Sequence, residues 1–522
     1  MLGAHRHRPG RRELRTGRTS SRGPAAPPRP RTRRPGSGHG GDPPPGAGAD
    51  RAGHGVQPGA ALDGGGSPRH RIDARRPGRR REGTDMSDDI VITGMGVITP
   101  IGGDVETFWS ANLEGRSGIV LEERMDTTGL PCGWTAGLIP EDVKAKVAAD
   151  YGAPDRSWGD SLMLASVDQA LADARLGELP AEDGPAALVY ARVWPGPTGS
   201  FPQDYVTHME DLAERYDRIG NEPSAVLEHL RGRHLPPETR DLSAYPTEIA
   251  DRLGTAVVPV RLEATCSGGL RAIAEAARLL RSGRARYAVV SASVSRNTPY
   301  VLSQYGQLMA LSRWKGDPAQ ASMPFDRRRT GMVINESAGA LVLETAEHAA
   351  RRGMTQPYAV IGGWGLAVDT RHMTAPSVDM IERVMRTALE QAGAHPDDVD
   401  TVNAHGTSTR LNDVTEARAL HQVFGERMAD LDVSAVKSLT GHGSAASGVV
   451  ETAVAALTMC RGVIPPVTTT TEPDPACAVR TSLTPVRRPV GTVLKNSFGF
   501  GGQYASMLFR RPATPRPAPR PA

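Results

Sequence analysis

A thiol and two imidazoles are the side chains of this chain best placed to act on a carbonyl carbon. Cys266 lies in "EATCSGGLRAIAEAARLL" (263–280), between the apolar, β-prone "AVVPVRLEA" and a helical pattern with Leu270, Ile273, Ala274, Ala277 and Leu280 on one face. That order reads as strand, sharp turn at Thr265 and Cys266, then helix. Amides and dipole at a helix N-terminus favour a thiolate, the nucleophilic form of cysteine. Ser267, Gly268 and Gly269 are read as leaving the sulfur open to a substrate. A cysteine filling a small core niche satisfies the same residues, so this stretch alone leaves both readings open.

His405 sits in "VDTVNAHGTSTRLNDVTEA", after an apolar strand and before Gly406, Thr407, Ser408 and Thr409. His442 stands between Gly441 and Gly443 in "VSAVKSLTGHGSAASGVVETAVAAL", where a helix begins. Both occupy strand edges, where side chains converge on one pocket. Taken singly, each also fits a hydrogen-bonded structural histidine. Neither has the further ligands at metal-binding spacing, so no metal is expected.

The elements that would carry these groups repeat. "DIVITGMGV" is a buried strand running into Gly94, Met95 and Gly96, read here as a turn, and "YAVIGGWGL" (358–366) returns the phrase. Each is followed by an alanine- and leucine-bearing helix, "ASVDQALADARL" in the first half and "RVMRTALEQAGA" in the second. The pattern is an α/β unit used twice, with halves near 87–345 and 356–511 fused into one body. "YAVVSASVS" (287–295) is another buried strand. Charged helical patterns in "DYVTHMEDLAERYDRI" and "SAVLEHLRGRHL" mark an inserted helical segment at about 195–255.

Composition separates off the ends. Of the 522 residues, the first 85 hold 19 Arg, no Lys, 7 acidic residues and no aromatic side chain, a composition that cannot bury a core. That segment carries +12 of a net charge of +4, leaving −8 on the remainder. Ordered sequence starts abruptly at Met86, which reads as the true initiator. The last residues, 512–522, form a Pro-rich tail. Four scattered cysteines (Cys132, Cys266, Cys460 and Cys477) form no disulfide or zinc pattern, and no apolar run is long enough to span a membrane. A cytoplasmic, membrane-free setting without a nucleic-acid partner is the expectation.

Cys266 in "ATCSGG", His405 in "NAHGTST", Lys437 and His442 in "KSLTGHGSAASG", and the closing "NSFGFGG" (496–502) resemble, in order and spacing, the elongating β-ketoacyl-acyl-carrier-protein synthases and type II polyketide ketosynthases. "PFDRRRTGMVINESAGALVLE" and "GVIPPVTTTTEPDP" are similar to that family as well. The likeness covers about 88–511 and is weakest across 192–255. It implies an α/β thiolase fold, a duplicated α-β-α-β-α five-layered sandwich with a helical insertion. It also implies an acyltransferase making a 3-oxoacyl chain by decarboxylative Claisen condensation of a Cys266-bound acyl group with malonyl-acyl carrier protein.

By the same resemblance, His405 and His442 donate to the malonyl thioester oxygen, and the amides of Cys266 and Phe500 form an oxyanion hole. Lys437 and Glu416 form a buried ion pair, and Thr407 and Thr409 line a pantetheine tunnel. No bound cofactor is implied, since phosphopantetheine arrives on the acyl carrier protein. Arg313 and Lys315 in "SRWKGD" stand where such enzymes receive that acidic partner. A dimer is implied, with a second copy or with a ketosynthase-like partner.

Several residues depart from the family pattern: the Ser-Gly-Gly after the cysteine, Glu263, Arg410, Ala445 and the pair Gln503-Tyr504. They direct the reading to polyketide or specialised fatty-acyl biosynthesis. The alternatives are housekeeping fatty-acid elongation and a non-catalytic chain-length-factor-like subunit. Retention of Cys266, His405 and His442 speaks against the last.

Overall fold

Ten strands hydrogen-bond into one sheet whose order repeats halfway across. They are β1 (Ile90–Ile98), β2 (Ala186–Arg192), β3 (Val257–Leu262), β4 (Tyr287–Val294), β5 (Ser337–Thr345), β6 (Ala359–Val368), β7 (Thr401–Asn403), β8 (Asp432–Ser434), β9 (Thr492–Gly499) and β10 (Gln503–Arg510). The sheet runs β8-β7-β9-β10-β6-β1-β5-β4-β2-β3. Each half therefore has the order third, second, fourth, fifth, first. In each, the second strand pairs parallel with the third and fourth, and the fifth pairs antiparallel with its neighbours. The halves meet antiparallel at their first strands, Ile90 opposite Ile361 and Ile92 opposite Ala359. These features belong to a computed structural model that describes residues 89–513, apart from 124–131, 133–134, 154–155, 177–183, 193–243, 296–301 and 303–304. The expectations for residues 1–85, for the helical patterns at 204–219 and 224–235, and for most of the Pro-rich end lie outside the described residues. Of the insertion, the helix Ala244–Leu253 is described.

Alternate residues on each strand serve different layers, as period-two side chains buried on both faces must. Ala187, Val189, Val290, Leu341 and Leu343 of the first half face one core together with Val493, Met507 and Phe509 of the second. That core holds the helices α2 (Gly268–Arg281) and α5 (Ser444–Arg461). On the opposite faces, Leu188, Val289 and Val342 pack on α1 (Trp158–Ala174), while Val402, Leu494 and Leu508 pack with α3 (Val378–Ala392) and α4 (Arg410–Phe424). Helix, half-sheet, central helix pair, half-sheet, helix makes five layers. Each fully buried Val or Leu contributes roughly 1.5–3 kcal/mol to this arrangement.

Gly94 and Gly96 form no turn. They lie within β1, and a Cβ on either would come within 2.2 Å of the Ala170 carbonyl oxygen or 2.0 Å of that of Ser166 on α1. Gly363 and Gly365 of β6 stand in the same relation to α3, at 2.5 Å from the Ala388 oxygen and 2.0 Å from the Val384 oxygen. Glycine is required because helix backbone lies directly on the strand. The same solution in both halves is a mark of the duplication.

Candidate active site

Cys266 is presented by a strained elbow. After β3 the chain makes a 3-10 turn over Thr265–Ser267 and enters α2 at Gly268, the order the sequence predicted. Thr265 has φ of 43°, a left-handed conformation that is costly for a β-branched residue. The closing segment fastens it: Ser497 Oγ donates to the Cys266 carbonyl at 2.8 Å, and Thr265 Oγ1 donates to the Phe500 carbonyl at 3.2 Å. A side chain at Gly499 would collide with Thr265 Oγ1 at 2.1 Å, so the strand end lies flat on the elbow.

Gly268 and Gly269 serve packing and not substrate access. A Cβ on Gly268 would lie 3.1 Å from Ala445 Cβ, and one on Gly269 would lie 2.6 Å from the Ala445 oxygen and 2.8 Å from Gly448 Cα. The helix bearing the cysteine and the helix that follows His442 thus touch backbone to backbone. Their small residues set how near the two reactive groups come. Ala445, a departure from the family pattern, lies in this contact.

Cys266 is buried. The backbone N–H groups of Phe500 and Cys266, the Ser444 hydroxyl and the Lys437 ammonium all favour its thiolate. Burial outweighs them and pushes the thiol up to about 11. The expectation that helix-terminal amides and dipole favour a thiolate is corrected accordingly: desolvation of the buried sulfur outweighs the groups that favour it. The two backbone amides that act on this sulfur are donors of the kind a developing carbonyl oxyanion beside it requires.

The two imidazoles meet edge to face, ring centroids 5.3 Å apart and planes at 83°. Phe498 also meets His405 edge to face, with ring centroids 5.3 Å apart. Burial, the Lys437 and Lys495 ammonium groups and, for His405, the neighbouring ring hold both histidines well below the usual imidazole range, so both are neutral at pH 7. Their partners indicate the tautomer. His405 Nδ1 is buried without a hydrogen-bond partner among the described residues, which suits a bare lone pair and not an N–H. His442 Nδ1 lies 3.3 Å from Ser447 Oγ, whose oxygen already accepts from the Gly443 amide, leaving its proton for the ring. In each ring the free N–H is then at Nε2.

The loops are anchored separately. Glu416 on α4 accepts from the His405 amide at 2.8 Å, the Gly406 amide at 2.9 Å and Asn496 Nδ2 at 3.1 Å. His442 is stitched to the other half through its N–H to the Val333 carbonyl at 2.6 Å and its carbonyl to the Asn335 N–H at 3.2 Å. Lys437 does not pair with Glu416. Its ammonium donates to Glu451 on α5 at 2.6 Å and to the His405 carbonyl at 2.8 Å. Both carboxylates are buried, but Glu416 is consumed by backbone amides, so the cation goes to Glu451. Glu451, Lys495 and Ser447 were not singled out in the sequence. Glu451 is the one acidic residue in a helix otherwise made mostly of small and apolar residues, which is the signal that marks it, since a lone carboxylate there must have a buried partner.

Thr407 and Thr409 share a hydrogen bond at 2.9 Å between their hydroxyls, on the loop after His405. Arg313 and Lys315 are exposed. The Arg313 charge reaches Cys132, whose side chain packs in the cluster that also receives the Phe500 ring. Among the described residues no His, Cys, Asp and Glu group suits a metal ion, and no helix is long and apolar enough to cross a membrane.

A duplicated five-layer body with a cysteine at the foot of its central helix is the architecture of thiolase-fold acyltransferases. This chain belongs to the beta-ketoacyl synthase family: residues 87–349 match the N-terminal domain of that family and residues 358–471 its C-terminal domain. It is 32% identical over 432 residues to 3-oxoacyl-[acyl-carrier-protein] synthase 2 of Vibrio cholerae, covering 81% of this chain and 99% of that one. Among solved structures, a type II polyketide synthase acyl-carrier protein in complex with its ketosynthase bound to the hexaketide superposes with a TM-score of 0.66 at 26% identity, over 81% of this chain and 99% of that one. The ishigamide ketosynthase/chain length factor gives 0.66 at 28% identity, over 81% and 98%.

Proposed function

We propose that this enzyme transfers an acyl group from an acyl carrier protein to Cys266 and condenses it with a malonyl unit held on a second carrier, in polyketide or specialised acyl-chain synthesis. In loading, the Cys266 sulfur attacks the acyl thioester. The thioester bond to the carrier's phosphopantetheine breaks, and the departing thiol takes up the cysteine proton. In condensation, malonyl loses carbon dioxide and leaves an enolate whose oxygen accepts from the Nε2–H groups of His405 and His442. The enolate carbon then attacks the acyl-cysteine carbonyl, whose oxygen accepts from the Cys266 and Phe500 amides. Cys266 leaves as thiolate and regains a proton from solvent. A preorganised donor of this kind is worth about 3–4 kcal/mol.

One observation carries the reading: the helix that follows Cys266 touches the helix that follows His442 backbone to backbone, and two neutral imidazoles meet edge to face there. Lys437 with Glu451, and Glu416 with the His405 loop, hold that geometry and move no proton. Thr407 and Thr409 serve the pantetheine arm, which arrives with the substrate, so the reaction needs no resident cofactor. Arg313, whose charge reaches the cluster that receives Phe500, and the exposed Lys315 suit an acidic carrier protein. β3, at one edge of the sheet with Val257, Val258 and Val260 half-buried, suits pairing with a second copy or a ketosynthase-like relative.

The pathway reading rests on the departures at Glu263, Arg410, Ala445 and Gln503-Tyr504, and on the likeness to polyketide ketosynthases. Intact-mass analysis of carrier-bound products, after incubation with malonyl-carrier and varied acyl primers, tests it. Branched, unsaturated or repeatedly extended 3-oxo chains are expected. Products limited to single extension of straight saturated primers would assign the enzyme to ordinary fatty-acid elongation.

A further inference from the structure

A second lysine is buried behind the histidines. Lys495, the residue before "NSFGFGG", is fully buried in β9, and its Nζ lies 2.5 Å from Glu451 Oε2. Glu451 Oε1 is already held by Lys437 at 2.6 Å. Two ammonium groups therefore share one buried carboxylate. Lys495 also donates to the carbonyl of Asn496, whose side chain in turn donates to Glu416 under the His405 loop. Glu416 is the other carboxylate facing Lys495, so two ammonium groups and two carboxylates share this interior, and it is the two ammonium groups that act on the imidazoles.

We propose that Lys495 is a positioning residue of the condensation step, whose ammonium keeps the His405–His442 pair neutral and adds positive potential behind the atoms that receive the enolate. The charges facing the two rings are Lys437 and Lys495, with each ring facing the other; those facing Lys495 are Glu451, Glu416 and Lys437. Burial pushes Lys495 down to about 8, with Glu451 opposing. It is thus charged at pH 7, and its field fades above about pH 8. A neutral imidazole is required because protonating His405 would place a second N–H at an Nδ1 that has no acceptor among the described residues.

The proposal rests on the condensing activity proposed above, and its test separates the two. Lys495→Met removes one of the two ammonium groups and leaves the Lys437–Glu451 pair intact, so the fold is retained; Lys495→Arg keeps the charge. Histidine-ring NMR titration of the whole protein, with His405 and His442 assigned by substitution, reads the field without any turnover. In Lys495→Met both rings become protonated at higher pH, and the acid limb of the condensation profile moves up by roughly half a unit or more. Below pH 8, condensation falls about tenfold while acylation of Cys266 stays within about twofold. Above about pH 8 the wild-type and Met profiles converge, and Lys495→Arg behaves as wild type below it. Unmoved ring titrations, or an equal loss of acylation and condensation, would overturn the role of Lys495. A wild type that does not condense would instead refute the activity, with the ring titrations still deciding on Lys495.

Discussion

Glu416→Gln should separate the two half-reactions. The carboxylate takes three buried hydrogen bonds, two from consecutive backbone amides and one from Asn496. An amide in its place keeps one acceptor oxygen and turns an NH2 toward a backbone N–H, donor against donor. Leaving a buried donor unpaired costs about 1–3 kcal/mol, and the bonds that remain lose their charge assistance. A loss of about 2–4 kcal/mol is therefore expected, concentrated on the loop that carries His405. The Cys266 elbow is held by different contacts, from Ser497 and Thr265. Acylation of Cys266 by acyl-carrier protein, followed by intact mass, should stay within about threefold of wild type. Malonyl decarboxylation, followed as carbon dioxide release, should fall by about 30-fold or more. Equal rates in both assays, or a parallel fall in both, would refute the assignment of Glu416 to the His405 loop.

Two further outcomes follow from the packing and the charges. Gly269→Ala puts a methyl group 2.6 Å from the Ala445 carbonyl oxygen, so the central helices must part. Chemical denaturation should show a loss of several kcal/mol, on the order of 3, with acylation and condensation lost together. Because burial raises Cys266 to about 11, its thiolate fraction should climb about tenfold per pH unit from pH 7 to 10. Iodoacetamide labelling of Cys266 should follow that slope, and a plateau near pH 8 would show that the amides and Lys437 outweigh desolvation.

Much of the site was legible because its chemistry-bearing residues sit at strand ends in glycine-rich turns. Neighbouring residues put Cys266, His405 and His442 at strand ends and apolar spacing gave the strand–turn–helix at 257–281, while their roles came from the resemblance of the motifs taken together. The ion pair could not be placed in this way. Glu416 and Glu451 both lie on helices that follow a histidine loop, and only the fold shows that backbone amides occupy one and ammonium groups the other. From sequence Gly94 and Gly96 read as a turn, because glycine loosens backbone. Their spacing of two, repeated at Gly363 and Gly365, places each pair on one strand face, the mark of a helix in contact. Gly268 and Gly269 were assigned to substrate access for want of the partner helix that fills the space. Lys495 gave no signal, since nothing in a β-prone run shows that a lysine will find a carboxylate 44 positions away.

Acylation of Cys266 by acyl-carrier protein, followed by addition of carboxyl-labelled malonyl-carrier, tests the central claim most directly. The wild type should carry the acyl mass on the Cys266 peptide and then release labelled carbon dioxide as that mass is lost. The His405→Ala/His442→Ala double variant should accumulate the acylated peptide and release almost no label. An acyl mass on any other residue, or undiminished release without the two imidazoles, would contradict the account.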